Sequence, residues 1–200
     1  MTRPALLARA AVTAAIATSF LAGCSSSDEP EAAPSDSSSS TAGSGLLADY
    51  DLEGSSAREI IEELDQGEDK PANLMASIRY DELLVSSPNE PDKETSLPIE
   101  DGFYLSMAPY VDGTHDCFYH SLTTCQGELV EEDLDVTITG ADGEVLVDET
   151  VTTYPNGFVG FWLPRDIEAT VEVAYDGRSA TSEIGTGSED PTCLTTMQLV

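Results

Sequence analysis

Basic side chains are scarce, with eight lysines and arginines against 38 aspartates and glutamates in 200 residues and a formal charge of −30. Such a surface repels phosphate backbones, and no basic stripe offsets it, so nucleic acid is excluded as a partner. Long apolar runs are missing too. The longest, Ala10 to Phe20, is about 11 residues, well short of the roughly 20 that a membrane-spanning helix needs. There is no glycine-rich phosphate loop and no Gly-x-Ser-x-Gly elbow. Cys-x-x-Cys is absent, which argues against a thioredoxin-type redox site. Histidine occurs twice, at His115 and His120, so a serine triad would have to borrow one of that pair.

The start of the chain reads as a targeting segment. Arg3 and Arg9 precede the apolar run, and Leu21-Ala22-Gly23-Cys24 closes it with small residues. That closing tetrapeptide resembles the bacterial lipobox, in which cleavage leaves the cysteine as an acylated first residue. Residues 1–23 are therefore expected to be a lipoprotein signal peptide, with Cys24 the lipid anchor to the outer face of the cell membrane. Removing them takes away two of the eight basic residues and no acidic one, so the mature charge is 6 − 38 = −32. Residues 24–45, nearly all Ser, Asp, Glu, Pro, Ala, Thr and Gly, cannot bury apolar surface and read as a flexible tether.

Residues 46–100 are expected to form a small helix and strand region. A short helix is expected near Leu46 to Leu52. Ser56 followed by Glu59 has the capping-box spacing, with Ile60, Ile61 and Leu64 on one face and Gly67 as the stop. Met75 to Ser86 and Ser96 to Ile99 read as strands around a Pro88–Pro91 turn. Residues 101–200 are β-rich. Phe103, Leu105 and Met107 alternate with Tyr104 and Ser106, as in a strand. Asp135–Thr139 and Glu144–Thr152 flank a turn at residues 141–143, Asn156-Gly157 leads into Phe158–Leu163, and Asp176-Gly177 joins Ala169–Tyr175 to Arg178–Ile184. Leu194–Leu199 reads as a closing strand. The fold class expected is mainly β, α+β overall, with a small helical N-terminal part before an antiparallel sandwich or barrel-like core.

Chemistry concentrates in the eleven residues from His115 to Cys125, which hold both histidines and two of the four cysteines. Thiolate sulfur with imidazole is a soft ligand set suited to copper(I), and Cys193 could complete it. Zinc accepts the same donors, although the spacing matches no common zinc module. With Cys24 lipidated, three cysteines remain, an odd number for an exported chain. Counting leaves two readings open: a three-thiolate metal site, or a Cys117–Cys125 disulfide with Cys193 free. A redox extension follows from the first, since two thiols can reduce copper(II) by closing a disulfide while the third stays a ligand. Met107, Met197, Phe161 and Trp162 read as core or sheet residues, and Asp116 and Glu128 as solvated charges.

Phe103–Tyr110, Thr114-His115-Asp-Cys117-Phe-Tyr-His120-Ser-Leu122 and Cys125-Gln-Gly-Glu-Leu129 resemble the CueP family of periplasmic copper-binding, copper-resistance proteins. Tyr154-Pro-Asn-Gly-Phe158, Trp162-Leu-Pro-Arg165 and Thr192-Cys193-Leu-Thr-Thr196 agree with the same pattern, so the likeness runs from roughly Asp49 to Val200. The resemblance implies copper held by Cys117, Cys125 and Cys193, with His115 and His120 as auxiliary ligands. It also implies copper(II) reduction and delivery to exported cuproenzymes such as superoxide dismutase; a homodimer is a further option. The lipobox and tether depart from the soluble periplasmic pattern and suit retention on a Gram-positive cell. Two rivals from other classes stand beside it: a surface interaction lipoprotein with a structural disulfide, and a zinc-binding or redox thiol protein.

Overall fold

The computed structural model describes residues 41–100 and 102–200, which lie in one compact unit, Ser38–Val200. The expected signal peptide, the expected lipid-anchor residue Cys24 and most of the expected tether fall outside the described residues. No helix among the described residues is long and apolar enough to cross a membrane.

Helix α1 (Thr41–Ala48) begins inside the stretch expected to be tether and ends before the expected Leu52. Its Leu46 and Leu47 are buried, as is Leu52 in the turn beyond, so apolar burial rather than propensity holds this short segment. Helix α2 (Ala57–Gln66) starts on the expected capping box: the Ser56 side chain accepts from the Glu59 N–H, and Glu59 accepts from the Ser56 N–H. Ile60, Ile61 and Leu64 are buried along one face. Gly67 caps the other end with an extended backbone. The Lys70 ammonium donates to the carbonyls of Leu64 and Asp65, satisfying acceptors left free at the helix C-terminus.

The stretch 75–86 is two strands: β1 (Met75–Ile78) and β2 (Glu82–Ser86) pair antiparallel, with β3 (Thr95–Pro98) added beyond a 3-10 turn at Pro91–Lys93. A second three-stranded sheet is centred on β4 (Phe103–Met107), between β7 (Val159–Leu163) and β10 (Cys193–Leu194). The third sheet runs in the order β6 (Val145–Thr152), β5 (Asp133–Gly140), β8 (Glu168–Tyr175), β9 (Arg178–Gly185). The Asp176-Gly177 turn has positive φ at both residues, as a tight hairpin requires. The fold is thus mostly β with a small helical N-terminal part, as expected, and among the described residues no sheet closes into a barrel.

The expected closing strand is replaced by something shorter and differently oriented. Only Cys193 and Leu194 form β10, which pairs parallel to β4, and one parallel bridge joins Tyr110 to Gln198 farther on. Every residue of β4 is buried, because its two faces serve two cores. Phe103, Leu105 and Met107 join the core beneath the four-stranded sheet, with Val136, Ile138, Val171 and Met197. Tyr104 joins the core under α2, with Ile60, Ile61, Ile78 and Leu83. Such fully buried apolar side chains stabilise by about 1.5–3 kcal/mol each. Met107 and Met197 are core residues here, as expected.

Candidate metal and thiol site

The loop between β4 and β5 carries the His/Cys stretch, and backbone hydrogen bonds clamp it on three sides. Toward β1, the Ile78 N–H donates to the His120 carbonyl at 2.9 Å and the Leu122 N–H to the Ala76 carbonyl at 2.9 Å. Toward β10, the Cys193 N–H donates to the Phe118 carbonyl at 3.2 Å, and Thr192 Oγ1 accepts from the His120 N–H at 3.1 Å. Toward the 154–158 turn, the Gly127 N–H donates to the Asn156 carbonyl at 2.7 Å. Gly127 and Gly157 touch backbone to backbone there: a Cβ on Gly127 would stand 2.3 Å from the Gly157 oxygen. Gly157, at φ +76°, also occupies the left-handed region that favours glycine.

The clamped loop places four ligand atoms, the sulfurs of Cys117, Cys125 and Cys193 and a ring nitrogen of His120, within 4.8 Å of one another. That span is about twice a metal–sulfur bond of roughly 2.3 Å, so the donor set could hold a soft or borderline metal ion. The pairing differs from the Cys117–Cys125 disulfide considered above. Cys117 is bonded to Cys193, with their Cα atoms 5.6 Å apart, and Cys125 is the free thiol among the described residues. The long-range partner reaches Cys117 because β10 lies beside β4 and delivers Cys193 to the loop. Cys125 Sγ nevertheless lies 3.6 Å from Cys117 Sγ, and Cys193 Sγ is 3.8 Å from His120 Nδ1.

His115 stands at the rim. It is exposed and lies outside the group of four, with its ring 6.2 Å from that of Phe158. It lines an open cavity of about 530 Å³ with Asp112, Thr114 and Gln126. Asp116 is exposed, as expected. Glu128 is more than a solvated charge, since its carboxylate accepts from the N–H groups of Val111, Asp112 and Gly113 and so fixes the start of the loop.

Asp65, at the end of α2, organises the buried side of the site. Its side chain is fully buried and accepts from His120 Nε2 at 3.0 Å, the Tyr104 hydroxyl at 2.8 Å and Asn156 Nδ2 at 2.8 Å. Because Nε2 is held by the carboxylate, Nδ1 is the nitrogen that faces the sulfurs. Gly160 makes room for the network: a Cβ there would sit 1.8 Å from the Tyr104 hydroxyl. Burial opposes charge on Asp65, but the hydrogen bond and charge of His120, helped by Tyr104 and Asn156, hold its carboxyl below the usual range. Burial likewise opposes charge on His120, and the hydrogen bonds to Asp65 and Cys125 overcome it, pushing the imidazole up to about 9. Burial raises the Cys125 thiol, but His120, the Ser121 N–H and His115 outweigh it and bring it down to about 7.

The family model described as periplasmic copper-binding protein CueP matches residues 59–198. The chain belongs to the CueP family. That match includes Asp65, the whole His/Cys loop, Asn156 and Cys193. The crystal structure of S.CueP is similar to this chain at 41% identity and a TM-score of 0.73, over 78% of this chain and 96% of that one. No curated protein matches. Membership in the CueP family thus rests on sequence and fold together, and the cysteine cluster lies inside the shared part. Asp65 was not picked out from the sequence, yet a signal was available: it falls four residues after Ile61, on the apolar stripe of α2 instead of the charged face.

Proposed function

We propose that the chain is an extracytoplasmic, lipid-anchored copper(I)-binding protein serving copper resistance, storage or delivery. Copper is its cargo. The observation that carries this reading is the convergence of three cysteine sulfurs and one imidazole nitrogen within 4.8 Å, in a chain of the CueP family. Cys117, Cys125 and Cys193 are the thiolate ligands of the reduced form; His120 assists through Nδ1 and His115 from the rim. The Cys117–Cys193 disulfide is the oxidised form, and opening it takes two electrons. Run in reverse, closing that bond yields two electrons and reduces two copper(II) ions to copper(I), leaving Cys125 and His120 as donors. Anchoring through Cys24 and delivery to an exported cuproenzyme such as superoxide dismutase are supported by the lipobox and the family resemblance.

Copper(I) stoichiometry on the reduced form beginning at Ser38, by competition with a copper(I) chelator, tests the reading. One tightly held ion, lost or at least about tenfold weaker in Cys193→Ser, is expected. Unchanged stoichiometry and affinity in that variant would remove Cys193 from the site.

The disulfide itself favours a second reading, an interaction module in which the bond is structural. In that case the reduced protein ignores copper(I) and one free thiol titrates unaffected. Zinc outcompeting chelated copper(I) would indicate the zinc or redox thiol alternative.

A further inference from the structure

We propose that Cys125 is the resolving thiol of the Cys117–Cys193 disulfide, so that the three sulfurs form a thiol–disulfide exchange centre that runs without metal. The arrangement is asymmetric. Cys193 is 2% exposed and packs with Ala108 and Phe158, whereas Cys117 and Cys125 are only partly buried. Cys117 is therefore the sulfur of the bond that an attacking thiolate reaches, and Cys125 Sγ already sits 3.6 Å from it. Cys125 Sγ also accepts the Ser121 N–H at 3.4 Å, a donor aimed at the nucleophile. On the other side, the leaving sulfur of Cys193 is 3.8 Å from His120 Nδ1, on a ring held through Nε2 by Asp65. Nucleophile, shared sulfur, leaving group and a hydrogen-bonding ring are thus all in place.

Exchange proceeds by attack of the Cys125 thiolate on Cys117 Sγ. The Cys117–Cys125 bond forms, the Cys117–Cys193 bond breaks, and Cys193 departs as a thiolate beside His120. One disulfide and one thiolate exist before and after, so no oxidant or reductant is consumed. An external monothiol enters the same cycle. Its thiolate attacks Cys117, joins it as a mixed disulfide and releases Cys193; Cys125 then attacks Cys117 and expels the monothiol unchanged. One monothiol is therefore expelled without net reduction; removing the bond takes a second thiol, from another monothiol or from the same dithiol, that attacks the mixed disulfide before Cys125 does.

The test uses the full oxidised chain and 2-mercaptoethanol as the monothiol, with chelator present so that copper plays no part. Samples are quenched in acid and weighed intact. Cys125→Ser is expected to carry at least about ten times more mixed disulfide at Cys117 than the unaltered protein. Cys125→Ala serves as a second variant, with circular dichroism confirming that both fold. Adduct that forms to the same extent in all three proteins, above the untreated background, overturns the proposal. A second measurement decides the case in which no protein takes up the monothiol: the unaltered chain is held at neutral pH, quenched, unfolded in acid and labelled with maleimide. Label divided between Cys125 and Cys193 supports exchange; label on Cys125 with none on Cys193 overturns it.

Discussion

Replacing Asp65 should damage the site and the fold in separable ways. In Asp65→Ala, His120 Nε2, the Tyr104 hydroxyl and Asn156 Nδ2 lose their acceptor in a place water does not reach. A buried donor left unpaired costs about 1–3 kcal/mol, and breaking a buried charge pair about 3–5 kcal/mol. These contributions overlap, so a loss of about 4 kcal/mol is expected from denaturant unfolding. Asp65→Asn should cost far less. Its oxygen can go on accepting from His120 and Asn156, while the Tyr104 and Ser106 hydroxyls rotate to accept from its amide. What the asparagine removes is the charge that keeps His120 protonated, and with it the main pull on Cys125. In the oxidised form beginning at Ser38, Cys125 is the single titrating thiol, so its thiolate ultraviolet absorbance reports it alone. The midpoint should move from about 7 toward the ordinary thiol value of about 8.5 in Asp65→Asn. Cys125, lowered by folding, contributes stability above its unfolded pKa of about 8.5 that is lost as pH falls through about 7. His120, raised by folding, contributes stability that is complete below about 6.5 and lost as pH rises through about 9. A midpoint near 7 in Asp65→Asn, or an Asp65→Ala cost below about 1 kcal/mol, would refute this account.

Two further outcomes are expected. Gly127→Ala drives a Cβ into the Gly157 carbonyl, so the loop must part from the 154–158 turn; a destabilisation of about 2–4 kcal/mol and weakened copper(I) binding should follow, checked by unfolding and chelator competition. Reducing the Cys117–Cys193 bond opens a link across a sequence separation of 76, which chain entropy values at about 4.5 kcal/mol, measurable as a lowered denaturation midpoint without metal.

Local signals in the sequence identify the elements built from neighbours. The Ser56–Glu59 capping box, the Asp176-Gly177 hairpin and the alternation of Phe103, Leu105 and Met107 all appear where their spacing puts them. What the sequence conceals depends on distant pairing. β10 is short and pairs parallel to β4 across a large sequence separation, a pairing that no window of residues contains. The disulfide partner follows from that strand and was hidden with it. The cluster's three sulfurs and His120 were legible from residue type alone. Asp65 was not, since it sits among Glu62 and Glu63 in a chain rich in acids, and only its position on the Ile61 stripe sets it apart.

The parallel pairing of β10 with β4 has a consequence in time. Because the site joins Asp65 from a helix near one end of the folded unit to Cys193 near the other, its contacts have high sequence separation and close slowly. A chain still missing its last residues, whether growing or threading through a membrane, has Cys117 and Cys125 but neither β10 nor their third sulfur. The four-residue cluster is therefore a mark of completed folding: it is assembled only after the final strand docks.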